Sequence, residues 1–111
     1  MKINKELIKG TTVIMILSQL EQQPMYGYEM IQAIEKESGG MFAFKEGTLY
    51  PILHSLESEA MIVSFWVGEE GSRRRKYYRI TEEGKKQLVN KRAEWASFYS
   101  AVNKVIGEEF A

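Results

Sequence analysis

The chain contains no cysteine and no aspartate, and among its 111 residues there are one histidine and two prolines. The first absence excludes a disulfide framework and any thiolate metal site, and it suits a reducing compartment. The second leaves glutamate as the sole acidic residue type. With His54 as the single imidazole, a nucleophile–base–acid triad, a His-rich metal site and a compact carboxylate pair for magnesium all lack their parts. The inventory argues against an enzyme and calls for no cofactor. No apolar run approaches the roughly 18 residues of a membrane span. The opening MKINKELIKG lacks the apolar core of a cleavable signal. A cytoplasmic protein with no membrane segment is expected.

Net charge is absent too, since 15 basic residues meet 15 acidic ones. The balance is uneven along the chain. Residues 1–60 carry five lysines against eight glutamates, residues 61–81 four arginines and one lysine against two glutamates, and residues 82–111 five of each sign. Four of the five arginines fall within GSRRRKYYRIT, residues 71–81. A basic segment on a neutral body points to a localised anionic partner; taken alone it is equally a solvated hairpin tip.

The length suits one domain with a thin core, a size at which helical chains often gain stability by pairing. Leu7, Ile14, Leu17 and Leu20 recur at helical spacing over residues 4–23, with Val13 and Ile16 widening the stripe, and Pro24 ends that helix. A second helix over 25–40 places Met30, Ile31 and Ile34 on one face and stops at Gly39–Gly40. After a connector with Phe42 and Phe44, a third helix over 48–61 buries Leu49, Ile52, Leu53 and Leu56. Pro51 is tolerable there only in the first turn. The opposite face shows Thr48, Tyr50, Pro51, His54, Ser55 and Ser58, with no acid until Glu57 and Glu59. A face selected for solubility alone would more often show Glu and Lys.

IVSFWV (62–67), a GEEGS turn and RRRKYYRI (73–80) read as a β-hairpin with a charged tip. Thr81 can cap a fourth helix, with Glu82 and Glu83 at the positive end of its dipole. That helix runs to about Val105, with Leu88, Trp95 and Val102 at seven-residue intervals and Gly107 ending it. The predicted fold is mainly α with a small β-hairpin: a winged helix-turn-helix over 1–81 and a C-terminal dimerisation helix over 82–111. Such a domain lays its third helix in the DNA major groove and reaches the backbone or minor groove with the hairpin.

Three stretches carry a closer likeness: MYGYEMIQAIE (25–35), EGTLYPILHSLESEAMI (46–62) and GSRRRKYYRITEEG (71–84). In order and spacing they resemble the PadR-family transcriptional regulators, of the short subfamily with one C-terminal helix. The resemblance implies a homodimeric repressor acting on double-stranded DNA with a two-fold operator. It implies that Tyr26 lies near a phosphate, that Thr48, Tyr50, Pro51 and His54 face the major groove, and that Arg73, Arg74, Arg75 and Lys76 face flanking DNA. From the residues alone, the alternatives are that Thr48 is only an N-cap, Tyr50 and Tyr26 packing residues, and His54 a surface histidine. Trp66 reads as hairpin packing.

In some short members a tryptophan at the position of Trp95 faces its symmetry mate across a dimer pore that accepts flat aromatic molecules. The resemblance thus implies a ligand site lined by Ile14, Ser18, Leu88, Trp95 and Tyr99, with stacking and cation–π attraction as its physical basis. It implies dimer packing by Leu88, Trp95, Phe98, Val102 and Ile106. Two positions depart from the pattern: Tyr99 stands where drug-binding members carry an acid, and Ser72 replaces a second wing glycine. The competing readings are a protein-interaction dimer that has lost DNA binding and a small-molecule sensor without it.

Overall fold

The structure, a computed structural model, describes the backbone of residues 5–107 and the side chains of residues 11–107. Leu7, expected in the apolar stripe of the first helix, and residues 108–111 of the expected dimerisation segment lie outside the described side chains. The elements run α1 (Lys5–Gln22), β1 (Met25–Tyr26), α2 (Gly27–Glu37), α3 (Glu46–Ser58), β2 (Ile62–Val67), β3 (Arg75–Ile80) and α4 (Glu82–Ile106). The antiparallel sheet has the order β1-β3-β2.

The expected two-stranded hairpin is therefore a three-stranded sheet. Met25 and Tyr26, expected at the start of the second helix, are extended and pair with Tyr78 and Tyr77. Tyr26 then acts as the N-cap of α2, where its backbone N–H donates to Glu29 Oε1 at 3.1 Å. A glutamate three residues in thus serves a donor that the helix itself cannot satisfy.

α3 also begins earlier than expected. Its N-cap is Lys45, whose carbonyl accepts the N–H groups of Thr48 and Leu49, both at 3.0 Å, so Thr48 lies inside the first turn and is not the cap. Pro51 consequently falls in the second turn rather than the first. It leaves the Gly47 carbonyl without its helical donor, which is tolerable because that segment is exposed to solvent. At the far end, Ala60 adopts φ 61°, and the N–H groups of Ala60 and Met61 return to the carbonyls of Glu57 and Leu56 at 3.0 Å each. This is a Schellman ending with alanine where glycine is usual, and it stops the helix three residues before the expected boundary.

The core lies where α1, α2 and α3 meet one face of the sheet. Ile16 and Leu17 of α1, Met30 of α2, Leu49 and Leu53 of α3, and Leu88 of α4 are all 0% exposed. Tyr78 of β3 joins them, also at 0%. Thr81 fastens α4 to this body, as its spacing predicts. Its hydroxyl donates to the Ala60 carbonyl at 2.6 Å and accepts the Gly84 N–H at 3.0 Å. Gly84 has no room for a side chain, since a Cβ there would fall 2.7 Å from Ile80 Cγ1 as well as against the Met61 carbonyl.

Candidate nucleic-acid interface

α3 is divided cleanly between two environments. Leu49, Leu53 and Leu56 point into the core, while Thr48, Pro51, His54, Ser55 and Ser58 are exposed and share the opposite side. That exposed side bears hydroxyls, an imidazole and a pyrrolidine ring over its first turns, where Thr48, Pro51 and His54 offer no charge to repel a phosphate or an acceptor-rich base edge. Its one carboxylate among the described residues, Glu59, lies at the far end and accepts the Ser55 hydroxyl at 3.5 Å. Tyr50 stands apart from this set. It is half-buried, and its ring lies across the start of α2, where a Cβ at Gly27 would come 2.5 Å from the Tyr50 hydroxyl oxygen. Burial, and then the nearby Glu46 carboxylate, raise the pKa of this phenol above its ordinary 10.0. Tyr50 therefore packs α3 against α2 and keeps its proton as a hydrogen-bond donor.

The wing separates its cations by strand alternation. Arg75, Tyr77 and Arg79 share the outer face of β3, and Lys76, Tyr78 and Ile80 the inner face. On the outer face the Arg75 guanidinium carbon lies 4.7 Å from the centroid of the Tyr26 ring. Tyr26 meets Tyr77 edge-on at 5.3 Å, and Tyr77 stacks with Phe65 at 5.9 Å. Arg74, just before the strand, lies 5.6 Å from the Trp66 ring. Trp66 is 58% exposed, so it serves as a platform for an arginine more than as buried packing. Cation–π contact fixes a guanidinium plane and leaves its N–H edge able to bind phosphate. Among the described residues, Arg73, Arg74, Arg75 and Arg79 form no ion pair.

Lys76, expected beside these arginines, is disposed differently. Its Nζ lies 4.0 Å from Glu57 Oε1 on α3 and 5.6 Å from the Tyr78 ring centroid. The turn between the strands uses Gly68 at φ 122° and Gly71 at φ 89°. Ser72 closes it, its hydroxyl donating to the Glu69 carbonyl at 2.7 Å, which gives this replacement of a second glycine a local role. A depression of about 290 Å³ at this end of the wing is lined by Val67, Gly68, Arg73, Arg75 and Tyr77.

α4 carries the second group of predicted residues and requires a correction. Leu88 was expected in the dimer seam and the ligand site, yet it is 0% exposed inside its own chain and has no surface to offer either. One turn on, Arg92 Nη2 donates to Ser18 Oγ at 3.1 Å and to Glu21 Oε1 at 3.0 Å. Ser18, expected to line a ligand site, is thus engaged by α4 of the same chain, and Ile14 packs partly against the core. Beyond Arg92 the stripe is uncovered: Trp95, Phe98, Tyr99, Val102 and Ile106 are between 39% and 61% exposed. The Trp95 ring has Phe98 at 6.0 Å and Tyr99 at 6.1 Å as neighbours.

Sequence reasoning did not single out Glu57, Arg79 or Arg92 as functional. Arg79 carried a visible signal, being two residues from Tyr77 and four from Arg75 on one strand face. Arg92 and Glu57 act through partners remote in sequence.

A recognition helix with uncharged exposed residues over its first turns, beside a wing whose arginines are unpaired among the described residues, defines a winged helix-turn-helix DNA-binding protein. Residues 16–90 match the model of the transcriptional regulator PadR-like family, and the chain belongs to that family. It is similar to a solved transcriptional regulator from Clostridium thermocellum, with 38% identity and a TM-score of 0.84 over 90% of this chain and 97% of the other. A PadR family regulator from Eggerthella lenta DSM 2243 shares 36% identity, with a TM-score of 0.81 over 92% of this chain and 87% of the other. The transcriptional regulator YqjI of Escherichia coli (strain K12) is 32% identical over 75% of this chain, which spans 38% of that longer protein. The chain is thus a DNA-binding transcriptional regulator and not an enzyme. Among the described residues no helix is long and apolar enough to cross a membrane, and no cluster of acids and histidine could hold a metal ion.

Proposed function

We propose that the protein is a homodimeric transcriptional repressor that reads a two-fold symmetric DNA site in the cytoplasm. The reading rests on one juxtaposition: the uncharged exposed residues Thr48, Pro51 and His54 of α3 stand beside a wing whose arginines have no acidic partner among the described residues. Thr48, Pro51 and His54 touch the major groove, with Tyr50 set behind them as a support and neutral donor. Arg73, Arg74 and Arg75 neutralise phosphates, and Tyr26 holds Arg75 at the entrance to α2. Function divides between residues 1–81, which bind DNA, and residues 82–111, which dimerise.

The dimer is supported by the uneven burial of a single helical stripe. Leu88 is covered by the body of its own chain and Arg92, though exposed, is bonded to Ser18 and Glu21 of α1, whereas Trp95, Tyr99, Val102 and Ile106 continue the same stripe with no such tie. Exposed apolar residues gathered on one side of a helix mark an interaction surface, and a second copy of α4 offers a self-complementary one. Trp95, flanked by Phe98 and Tyr99, supplies a place where a flat aromatic molecule can stack between protomers and shift the two reading helices. Repression is the mode that the family resemblance implies.

Hydroxyl-radical footprinting on DNA upstream of the protein's own gene tests the two-fold reading. Two protected patches on one side of the duplex, about one helical turn apart, are expected. A single patch would refute paired reading helices.

A further inference from the structure

Among the described residues, Glu57 is the acid that ties the reading helix to the wing. The Ser64 hydroxyl donates to its Oε2 at 2.7 Å, and Lys76 Nζ lies 4.0 Å from its Oε1. Ser64 and Lys76 share the inner face of the wing, Ser64 opposite Tyr78 and Lys76 opposite Trp66. Helix and both strands therefore converge on one carboxylate. The wing arginines have no such partner among the described residues, so the basic segment holds two kinds of cation. Four guanidiniums are free to meet phosphate, and one ammonium is already neutralised.

We propose that Glu57 is a positioning residue of the DNA-binding surface that keeps Lys76 as an internal counterion and so sets how much charge the wing offers to phosphate. The inference rests on the DNA-binding reading above. A cation held by its own chain releases no counterion from DNA, so it adds nothing to sequence-independent affinity. Lowering that affinity while leaving the α3 face untouched widens the gap between specific and non-specific binding. The Ser64 bond matters as well, because it fixes the carboxylate on the side of the wing from which Lys76 approaches.

The test is the slope of log affinity against log salt on a random-sequence duplex. Glu57→Gln keeps an oxygen for Ser64 but removes the charge that retains Lys76. It is expected to tighten binding and steepen the slope by about 0.9, the increment for one additional phosphate contact. Adding Lys76→Gln to that variant is expected to return the slope to the wild-type value. A wild-type slope in Glu57→Gln, or a steepening that survives loss of Lys76, overturns the proposal. Arg75→Gln serves as the reference and is expected to flatten the slope by a similar amount. If it too changes nothing, the failure belongs to the wing as a DNA contact and not to Glu57 alone.

Discussion

The guanidinium carbon of Arg75 stands 4.7 Å from the centroid of the Tyr26 ring, joining the wing to the first residue before α2. The contact exists because β1 places Tyr26 opposite Tyr77 on the outer face of the sheet, the face that Arg75 also occupies. Arg75→Ala is expected to weaken binding to all DNA sequences alike and to lower the salt slope by about one phosphate. Tyr26→Leu should have a smaller effect in the same direction, since it keeps the charge and loses only the platform. Titrations of matched and scrambled duplexes at several salt concentrations check both.

Ala60 ends α3 in the left-handed region, at φ 61°. A Cβ there costs about 1–2 kcal/mol, partly offset in any glycine variant by the greater entropy of its unfolded chain. Ala60→Gly is expected to stabilise the fold by up to about 1 kcal/mol, seen as a rise of a few degrees in Tm. A lower Tm would show that the Schellman turn is not strained.

Val102 and Phe98 are exposed on the uncovered half of α4. Val102→Glu or Phe98→Glu should leave the thermal unfolding of the body nearly unchanged, because neither side chain enters its core. Either is expected to convert a dimer to a monomer in sedimentation equilibrium, since a charge buried without a partner at an interface is strongly unfavourable. Leu88→Ala, by contrast, should cost about 2–5 kcal/mol of stability.

Tyr50 and Tyr78 both have phenols raised above 10.0, each chiefly by burial, with Glu46 adding to the first and Glu57 then Tyr50 to the second. A raised folded-state pKa means that the unfolded chain gives up these protons first. The stability they confer is complete below about pH 10 and is lost as pH climbs through the folded values. Melting curves between pH 9 and pH 11 should show a falling Tm, with a shallower fall in Tyr78→Phe.

Much of this arrangement was legible in the sequence because its signals are local. The leucines of α3, the Thr81 cap and the β-branched run of β2 each announce their element within a few residues. What was misread depends on distant partners. β1 has two residues, too few to show alternation, and is a strand only because β3 pairs with it. The start of α3 carries no capping side chain at Lys45, so Thr48 looked like the better cap. Leu88 and Trp95 belong to one heptad stripe, and nothing within α4 indicates that the body of the chain covers the first and not the second. Glu57 and Lys76 meet only through the register of a hairpin seen in three dimensions.

A sequence-reading regulator of its own gene prefers its own control region to other DNA. Fluorescence anisotropy of labelled DNA from upstream of its gene, set against a shuffled duplex across a salt series, measures this. A preference for the native sequence of about a hundredfold or more, with affinity falling steeply as salt rises, is the predicted result. Equal and weak binding to both duplexes at every salt concentration would contradict an autoregulatory, sequence-reading dimer.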